Sequence, residues 1–482
     1  MRKNWVYILL TGAILLVYLL VLNRYGTAIP APTPPEEVNL ADLAQNIAEG
    51  KGAVFDIPSE IVPSPQETPR RFYVPVLTYA FALSGWGSLW GFDLLSLRWF
   101  NRVLGALNLL LLFGLARRWG VPRGLALLAA FWTAMDIVYQ FASNVVRSDM
   151  FSLFGILLGL WMFTNGQERR GYREWLASGI CFALALFAHF WQVFYVFVWL
   201  ALNLLWKRRW KESTVFIAPS AVAGLLWFLY GLQDWEWFRF LSSLMLGDKT
   251  FGGNIVILAF WLMGFHTFQK VWGVYPSNSP IWLAVLLTLT WAGYRRRLTA
   301  PLWQWGVFWI AYVTAYISPH PWYAGWFTPF GYLALALLAS QILRPWPGGW
   351  VARGLVVLAL LWSGYQVVQV GRCWREAPAI HRAHQEFFQE LAEALPSHGS
   401  FWLRSVPDPS FFLLQSRPDL TLYVASGYFS YPDFFHQLDG AIVVSGWMPA
   451  SEWPPYRIRR VWYIPGVLRD YRVLWIEPFP SD

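Results

Sequence analysis

The chain has two cysteines in 482 residues, Cys181 inside one apolar run and Cys373 near the end of another. So few exclude a disulfide framework and a cysteine-ligated metal, and leave the redox compartment unread. Charge is also scarce. Asp, Glu, Lys and Arg make up 13% of the residues, against about 25% in an ordinary soluble domain. There is no internal repeat and no low-complexity tract beyond a Pro-rich stretch at Pro30, Pro32, Pro34 and Pro35. Apolar and aromatic residues take the place of charge: 56% of the chain is hydrophobic, with 33 Trp, 36 Phe and 22 Tyr. Most of it therefore has lipid as its solvent. The net charge of +9 sits in short blocks between apolar runs. That is the positive-inside pattern of a membrane protein and argues against a nucleic-acid partner.

Arg2 and Lys3 lead the first apolar run, Trp5 to Leu22, long enough for a bilayer that needs about 20 residues. No small-residue cleavage site follows it, so a retained anchor with a cytoplasmic N-terminus is expected. The chain is then expected outside over residues 23–97, where Phe72 to Leu83 is too short to span and suits an interfacial or re-entrant helix. Further spans are expected at Arg98–Ala116, Leu125–Phe141, Phe151–Thr164, two within Trp175–Trp206 turning near His189, then Val215–Leu232, Ile281–Trp291, Leu302–Ile317, Phe327–Leu343 and Leu355–Val370. Ile255–Phe265 is placed in the interface, because counting it as a span would reverse the sidedness of everything after it. With about eleven spans the strongest Arg/Lys blocks share one side. The expected class is an α-helical integral membrane protein, multi-pass in an inner (plasma) membrane.

The tail is of another kind. Phe387, Phe388, Leu391 and Leu395 mark one face of a helix over Ile380–Leu395. Five strand-like runs follow, SFWLRSV, LTLYVAS, GAIVVS, RRVWYIP and RVLWIEP, separated by Pro, Gly and Asp. The chain is thus expected to divide into a membrane domain, residues 1–371, and a small extracytoplasmic α/β domain, residues 372–482.

The first outer loop carries the stretch PPEEVNLADLAQNIAEGKG, Pro34 to Gly52. Glu36 and Glu37 precede a short amphipathic helix with Leu40, Leu43, Ala44 and Ile47 on one face, and Gly50 and Gly52 suit its end. Paired carboxylates outside a bilayer, with a helix lying in the interface behind them, suggest chemistry at the membrane surface. Adjacent acids also simply suit a helix N-terminus. Arg147 and Asp149 flank Ser148 in a later outer turn, where they can form a turn pair; an acid at the lip of a span is costly unless paired or used. His320 lies in the late outer turn SPHPWY. Asp136, His189 and Gln192 are intramembrane polar groups for which a helix–helix hydrogen bond is the alternative. His381 and His384 can hold a metal, but solvent-facing helix histidines have the same spacing.

The order of these features resembles the membrane-embedded glycosyltransferases of the C superfamily, in particular the protein O-mannosyltransferase and lipid A aminoarabinose transferase branch. The matching stretches are EEVNLADLAQNIAEGKG, YVPVLTYAFAL, LRWFNRVLGALNLLLLFGLARRWG, NVVRSDMFSLFGILLGLWMF and PHPWYAGWFTPFGYLAL, across roughly the first 340 residues. The resemblance implies an inverting enzyme that moves a sugar from a polyprenyl-phosphate carrier to a protein, lipid or glycan acceptor on the extracytoplasmic face. It makes Glu36 and Glu37 the first-loop acidic pair, with Glu where the family usually begins with Asp, and Asp149 the second acidic site. Arg70 and Arg71 stand slightly upstream of the family's basic position. His320 and Tyr323 are the nearest equivalents of its late Arg-Tyr. With Arg147, these residues are the candidates for holding the donor phosphate. No cofactor is demanded, although a divalent cation (Mg or Mn) bridging Glu37 and Asp149 to phosphate is compatible with the chemistry. The rival readings are a lipid or sugar transporter or flippase, which usually shows repeats and midplane charges, and an envelope assembly factor without catalysis.

Overall fold

The computed structural model describes residues 2–25, 36–57, 70–73, 76–169, 171–247, 279–295, 301–317, 322–343, 349–424, 432–445, 455–466 and 470–479. His320 and the segment Ile255–Phe265 lie outside the described residues.

The apolar runs become helices. Helix α1 (Arg2–Tyr25) is followed by α2 (Glu36–Ala48) and the short antiparallel pair β1 (Val54–Phe55) and β2 (Arg70–Arg71). Next come α3 (Leu77–Trp90) and α4 (Leu94–Arg118). The start of α4 is fixed by Asp93, whose Oδ1 accepts hydrogen bonds from the Leu95 and Ser96 amides at 3.1 and 3.0 Å. Arg117 and Arg118 stand at its other end, where cations oppose the helix dipole.

The apolar stripe of α2 has a protein partner. Its apolar face is covered by protein: Leu40, Leu43 and Ala44 are buried in a cluster with Tyr79, Ala80 and Leu83 of α3, Leu97, Val146 and Ala188. A helix of 13 residues is marginal alone in water and gains its stability from such packing.

The run expected as one span over Leu125–Phe141 is instead two helices, α5 (Arg123–Met135) and α6 (Ile137–Ser143), bent by 66°. Asp136 sits at the break. Its Oδ1 accepts from the Val138 and Tyr139 amides at 2.9 and 3.3 Å, so the carboxylate supplies the cap that the broken ladder lacks. Its Oδ2 accepts from the Tyr332 hydroxyl at 3.0 Å.

Helices α7 (Asp149–Arg169), α8 (Tyr172–Leu186), α9 (Phe190–Trp206) and α10 (Trp210–Gly231) follow, with His189 in the expected turn between α8 and α9. A Cβ built on Gly179 of α8 would lie 2.3 Å from the Phe216 carbonyl oxygen of α10. Gly179→Ala is therefore expected to push these helices apart and cost about 1–3 kcal/mol, seen as a lower unfolding temperature of the detergent-solubilised protein.

Beyond them lie α11 (Trp235–Gly247), α12 (Ser279–Tyr294), α13 (Leu302–Ile317), α14 (Trp322–Leu343) and α15 (Trp350–Ala394). Among the described residues five helices are long and apolar enough to cross a membrane, or six if α5 and α6 count as one span. The expected total of about eleven rests in addition on shorter apolar helices such as α9 and α12. Helix α15 joins two expected elements. The last expected span and the expected tail helix are one continuous helix of 45 residues, so the boundary at residues 371/372 falls inside it.

All five expected tail strands are present: β3 (Gly399–Arg404), then, after the short helix α16 (Ser410–Ser416), β4 (Leu420–Val424), β5 (Gly440–Val444), β6 (Tyr456–Ile464) and β7 (Tyr471–Pro478). Their order is β4–β3–β5–β7–β6, with β3 parallel to both its neighbours and β7 antiparallel to both of its own. Alternation divides the side chains between two faces. Phe401, Leu403, Trp462 and Val473 pack on Phe387 and Leu391 of α15 and on Leu395 just past its end. Trp402, Tyr423, Val443 and Leu474 form the core of the other face with Phe435.

Candidate active site

Glu37, in the first turn of α2, is 3% exposed. Its carboxylate is gripped by Arg98 of α4, Nε donating to Oε1 at 2.9 Å and Nη2 to Oε2 at 2.7 Å. The Val146 amide also donates to Oε1, at 2.8 Å. A buried ion pair is tolerated only when geometry and extra hydrogen bonds offset desolvation, and the two-pronged arginine contact supplies both. Glu37 thus ties the first loop to α4 and to the turn between α6 and α7.

The same face of α4 builds that turn. Asn101 Nδ2 donates to the carbonyls of Val145 and, at 2.7 Å, Arg147, while the Tyr79 hydroxyl donates to Asn101 Oδ1 at 3.3 Å. One residue further, Arg102 is fully buried and its Nε donates to Asn144 Oδ1 at 2.6 Å. Both its Nη atoms are buried without a hydrogen-bond partner, and the guanidinium lies 4.9 Å from the Trp99 ring centre.

Asp149 opens α7, where the helix dipole favours an acid. Its Oδ2 accepts from Arg147 Nε at 2.7 Å and its Oδ1 from Gln192 Nε2 of α9 at 3.0 Å. His189 Nε2 is 3.9 Å from the same Oδ1. Both Arg147 and Asp149 are buried. The Asn101 amide that accepts from the Tyr79 hydroxyl also holds the Arg147 carbonyl, next to the Val146 amide that binds Glu37. The loop acid, the turn acid and their two arginines therefore belong to one constellation.

The structure brings together Glu37, Arg147 and Asp149, and adds His189 and Gln192. Glu36 is the first residue of α2, Arg70 is in β2 and Tyr323 is in α14, but their side chains are outside the described set. Arg71 is exposed. Its Nη1 donates to Gln233 Oε1 and its carbonyl accepts from Trp237 Nε1 at 2.8 Å, so it braces β2 against the start of α11. Arg98, Asn101 and Arg102 were not among the candidates read from the sequence. The available signal was two arginines and an amide at helical spacing on one face of an apolar run, a placement that is costly in a membrane unless used.

The carboxylates do not fit the metal arrangement considered above. The oxygens of Glu37 and Asp149 are engaged by Arg98, Val146, Arg147 and Gln192, and they face cations rather than an open ligand position. Among the described residues no group of three His, Cys, Asp or Glu side chains is placed to hold an ion.

Residues 74–231, which include Arg98, Arg147, Asp149 and Gln192, match the family model described as dolichyl-phosphate-mannose-protein mannosyltransferase. A curated relative, the undecaprenyl phosphate-alpha-4-amino-4-deoxy-L-arabinose arabinosyl transferase 2 of Pseudomonas fluorescens (strain Pf0-1), is 26% identical over 254 residues, 50% of this chain and 43% of the relative. A similarly named transferase of Pseudomonas aeruginosa (strain UCBPP-PA14) is 26% identical over 232 residues, 47% of this chain and 39% of that one. The chain thus spans less than half the length of the curated relatives it matches. The crystal structure of ArnT from Cupriavidus metallidurans bound to undecaprenyl phosphate superimposes with a TM-score of 0.54, covering 98% of both chains at 13% identity. The archaeal oligosaccharyltransferase AglB from Archaeoglobus fulgidus gives 0.53, covering 92% of this chain and 70% of that one at 11% identity. Likeness at such identities establishes fold alone. The fold is that of the C-superfamily membrane glycosyltransferases, and the resemblance read from the sequence holds.

Proposed function

We propose that the protein is an inverting glycosyltransferase that moves a sugar from a polyprenyl-phosphate carrier to an acceptor on the extracytoplasmic face of a bacterial inner membrane. The N-terminus is then cytoplasmic and the C-terminal sheet domain extracytoplasmic. The observation that carries this reading is the convergence of Glu37–Arg98 and Asp149–Arg147 on one turn between α6 and α7. It is joined by the family-model match over that turn.

In this reading Glu36 is the base. Glu37 is committed to Arg98, so the adjacent carboxylate takes the proton of the attacking hydroxyl. With one base and no second nucleophile, displacement inverts the anomeric carbon. The leaving phosphate gathers charge as its bond to the sugar breaks, and fixed cations stabilise that charge best where water is excluded. Arg102 offers two amino groups without a protein partner, and Arg147 belongs to the same turn as Asn144, which Arg102 binds. Asp149, Gln192 and His189 hold Arg147 in place. A transporter would need a polar path across the membrane, whereas these charges cluster around a single loop-and-turn junction.

The test uses purified protein in lipid with labelled undecaprenyl-phosphate sugars, aminoarabinose and mannose among them. The wild type is expected to release free undecaprenyl phosphate, and Asp149→Asn to do so about 10²-fold more slowly. A donor panel left untouched by folded wild-type protein would move the assignment to the transporter class.

A further inference from the structure

One acid of the C-terminal sheet reaches the membrane-domain site. Strand β3 lies between two parallel neighbours. The chain leaves its carboxyl end, passes through α16 to β4 on one side, and returns by the 3-10 turn Pro432–Gln437 to β5 on the other. In open α/β sheets the crevice outside the strands' carboxyl ends, at such a reversal, is where ligands bind. The segment that begins there is SVPDPSF, residues 405–411.

Ser405, Val406 and Ser410 are buried. Asp408 is braced on one side only: its Oδ1 accepts from the Ser410 amide at 2.9 Å and from the Ser410 hydroxyl. Its Oδ2 is shielded from solvent and has no hydrogen-bond partner. Phe411 packs against the cluster that holds Leu40 and Leu43 of α2 together with Val146. The turn is thereby fixed on the Glu37 side of the membrane domain, and the charges of Glu37 and Arg98 both act on the Asp408 carboxyl. Burial above all pushes the pKa of Asp408 up to about 7; the Ser410 bonds pull it down, and the Glu37 charge raises it further.

A shielded carboxylate oxygen with nothing to accept from is costly, and such groups in native proteins usually have a partner. What completes this one must bring an O–H or N–H. A phosphate completes it poorly, because its charged oxygens repel a carboxylate and bring no proton to share.

We propose that Asp408 is an acceptor-binding residue and that its carboxylate selects a neutral hydroxyl acceptor over a phosphorylated one. This rests on the glycosyltransferase reading above. The acceptor enters from the outer side beneath the sheet domain and one of its hydroxyls donates to Asp408 Oδ2. The attacking hydroxyl gives its proton to Glu36 and its oxygen bonds to the anomeric carbon. The bond from that carbon to the phosphate oxygen breaks, and its electron pair leaves with the polyprenyl phosphate.

The experiment uses the full chain in nanodiscs, labelled undecaprenyl-phosphate sugars, and two matched acceptor probes: lipid A and lipid A stripped of its phosphates. The stripped probe is expected to be glycosylated about tenfold faster. Asp408→Asn should raise its KM about tenfold, the loss of one hydrogen bond to a charged group, and leave the donor KM within about twofold. Asp408→Glu, read alongside, keeps the charge and retains most of the acceptor affinity. Preference for the phosphorylated probe, an unchanged acceptor KM in folded Asp408→Asn, or donor hydrolysis with neither probe glycosylated would each overturn the proposal while leaving the enzyme reading intact. Wild-type protein that releases no undecaprenyl phosphate from any donor would remove both.

Discussion

Glu36→Gln is expected to slow sugar transfer by about 10²–10⁴-fold, the usual contribution of a general base, with no change in unfolding temperature. The reasoning is one of elimination within an adjacent pair. Glu37 spends its carboxylate on Arg98 and the Val146 amide, so removing its charge disturbs the scaffold. Glu36 is the adjacent carboxylate, at the first position of α2. Turnover and thermal unfolding measured together separate the two. Glu36→Gln should lower kcat in a stable protein, whereas Glu37→Gln should lower stability and activity together. Equal losses of stability in both variants would assign the pair a purely structural role.

The second large effect is on folding. Arg98→Leu leaves the Glu37 carboxylate buried and unpaired, and breaking a buried pair from one side costs about 3–5 kcal/mol. The loss extends beyond the pair itself. Glu37 is the tie among α2, α4 and the Val146 turn, so the first loop should become more sensitive to protease as the protein loses thermal stability. Replacing both partners, Glu37→Leu with Arg98→Leu, should recover part of the stability because no charge is stranded, and the double-mutant cycle gives the coupling directly. Simple additivity of the two single losses would contradict the pairing.

Much of the helical layout was legible because period and composition are local properties. The turn at His189, the amphipathic pattern of α2 and all five tail strands follow from the residues themselves. What the residue pattern left open shares a cause. Whether the Leu40–Ala44 face meets lipid or Tyr79 and Leu83 depends on a helix some forty residues away, and apolar periodicity reads the same in both settings. The break at Asp136 was hidden because an acid in a span is equally consistent with a hydrogen bond between straight helices. At the site, Glu37, Arg147 and Asp149 stood out as charges at the edges of apolar runs. Arg98 did not, because it resembled the basic flank of a span. Its role appears only when the first loop folds back over sixty residues of chain.

The continuous helix α15 makes the outer domain a matter of phase. Its 45 residues extend about 68 Å at 1.5 Å per residue, and each residue turns the helix by about 100°. The helix runs unbroken from the membrane bundle to the sheet, with Pro378 inside it, so one residue inserted or deleted near Gly371 would swing Asp408 around the helix axis and away from Glu37. The length of α15 is therefore a setting as well as a distance. Relatives that keep this geometry should vary the helix only in steps that restore its angle, near seven or eleven residues, or else change the loop that the sheet presents.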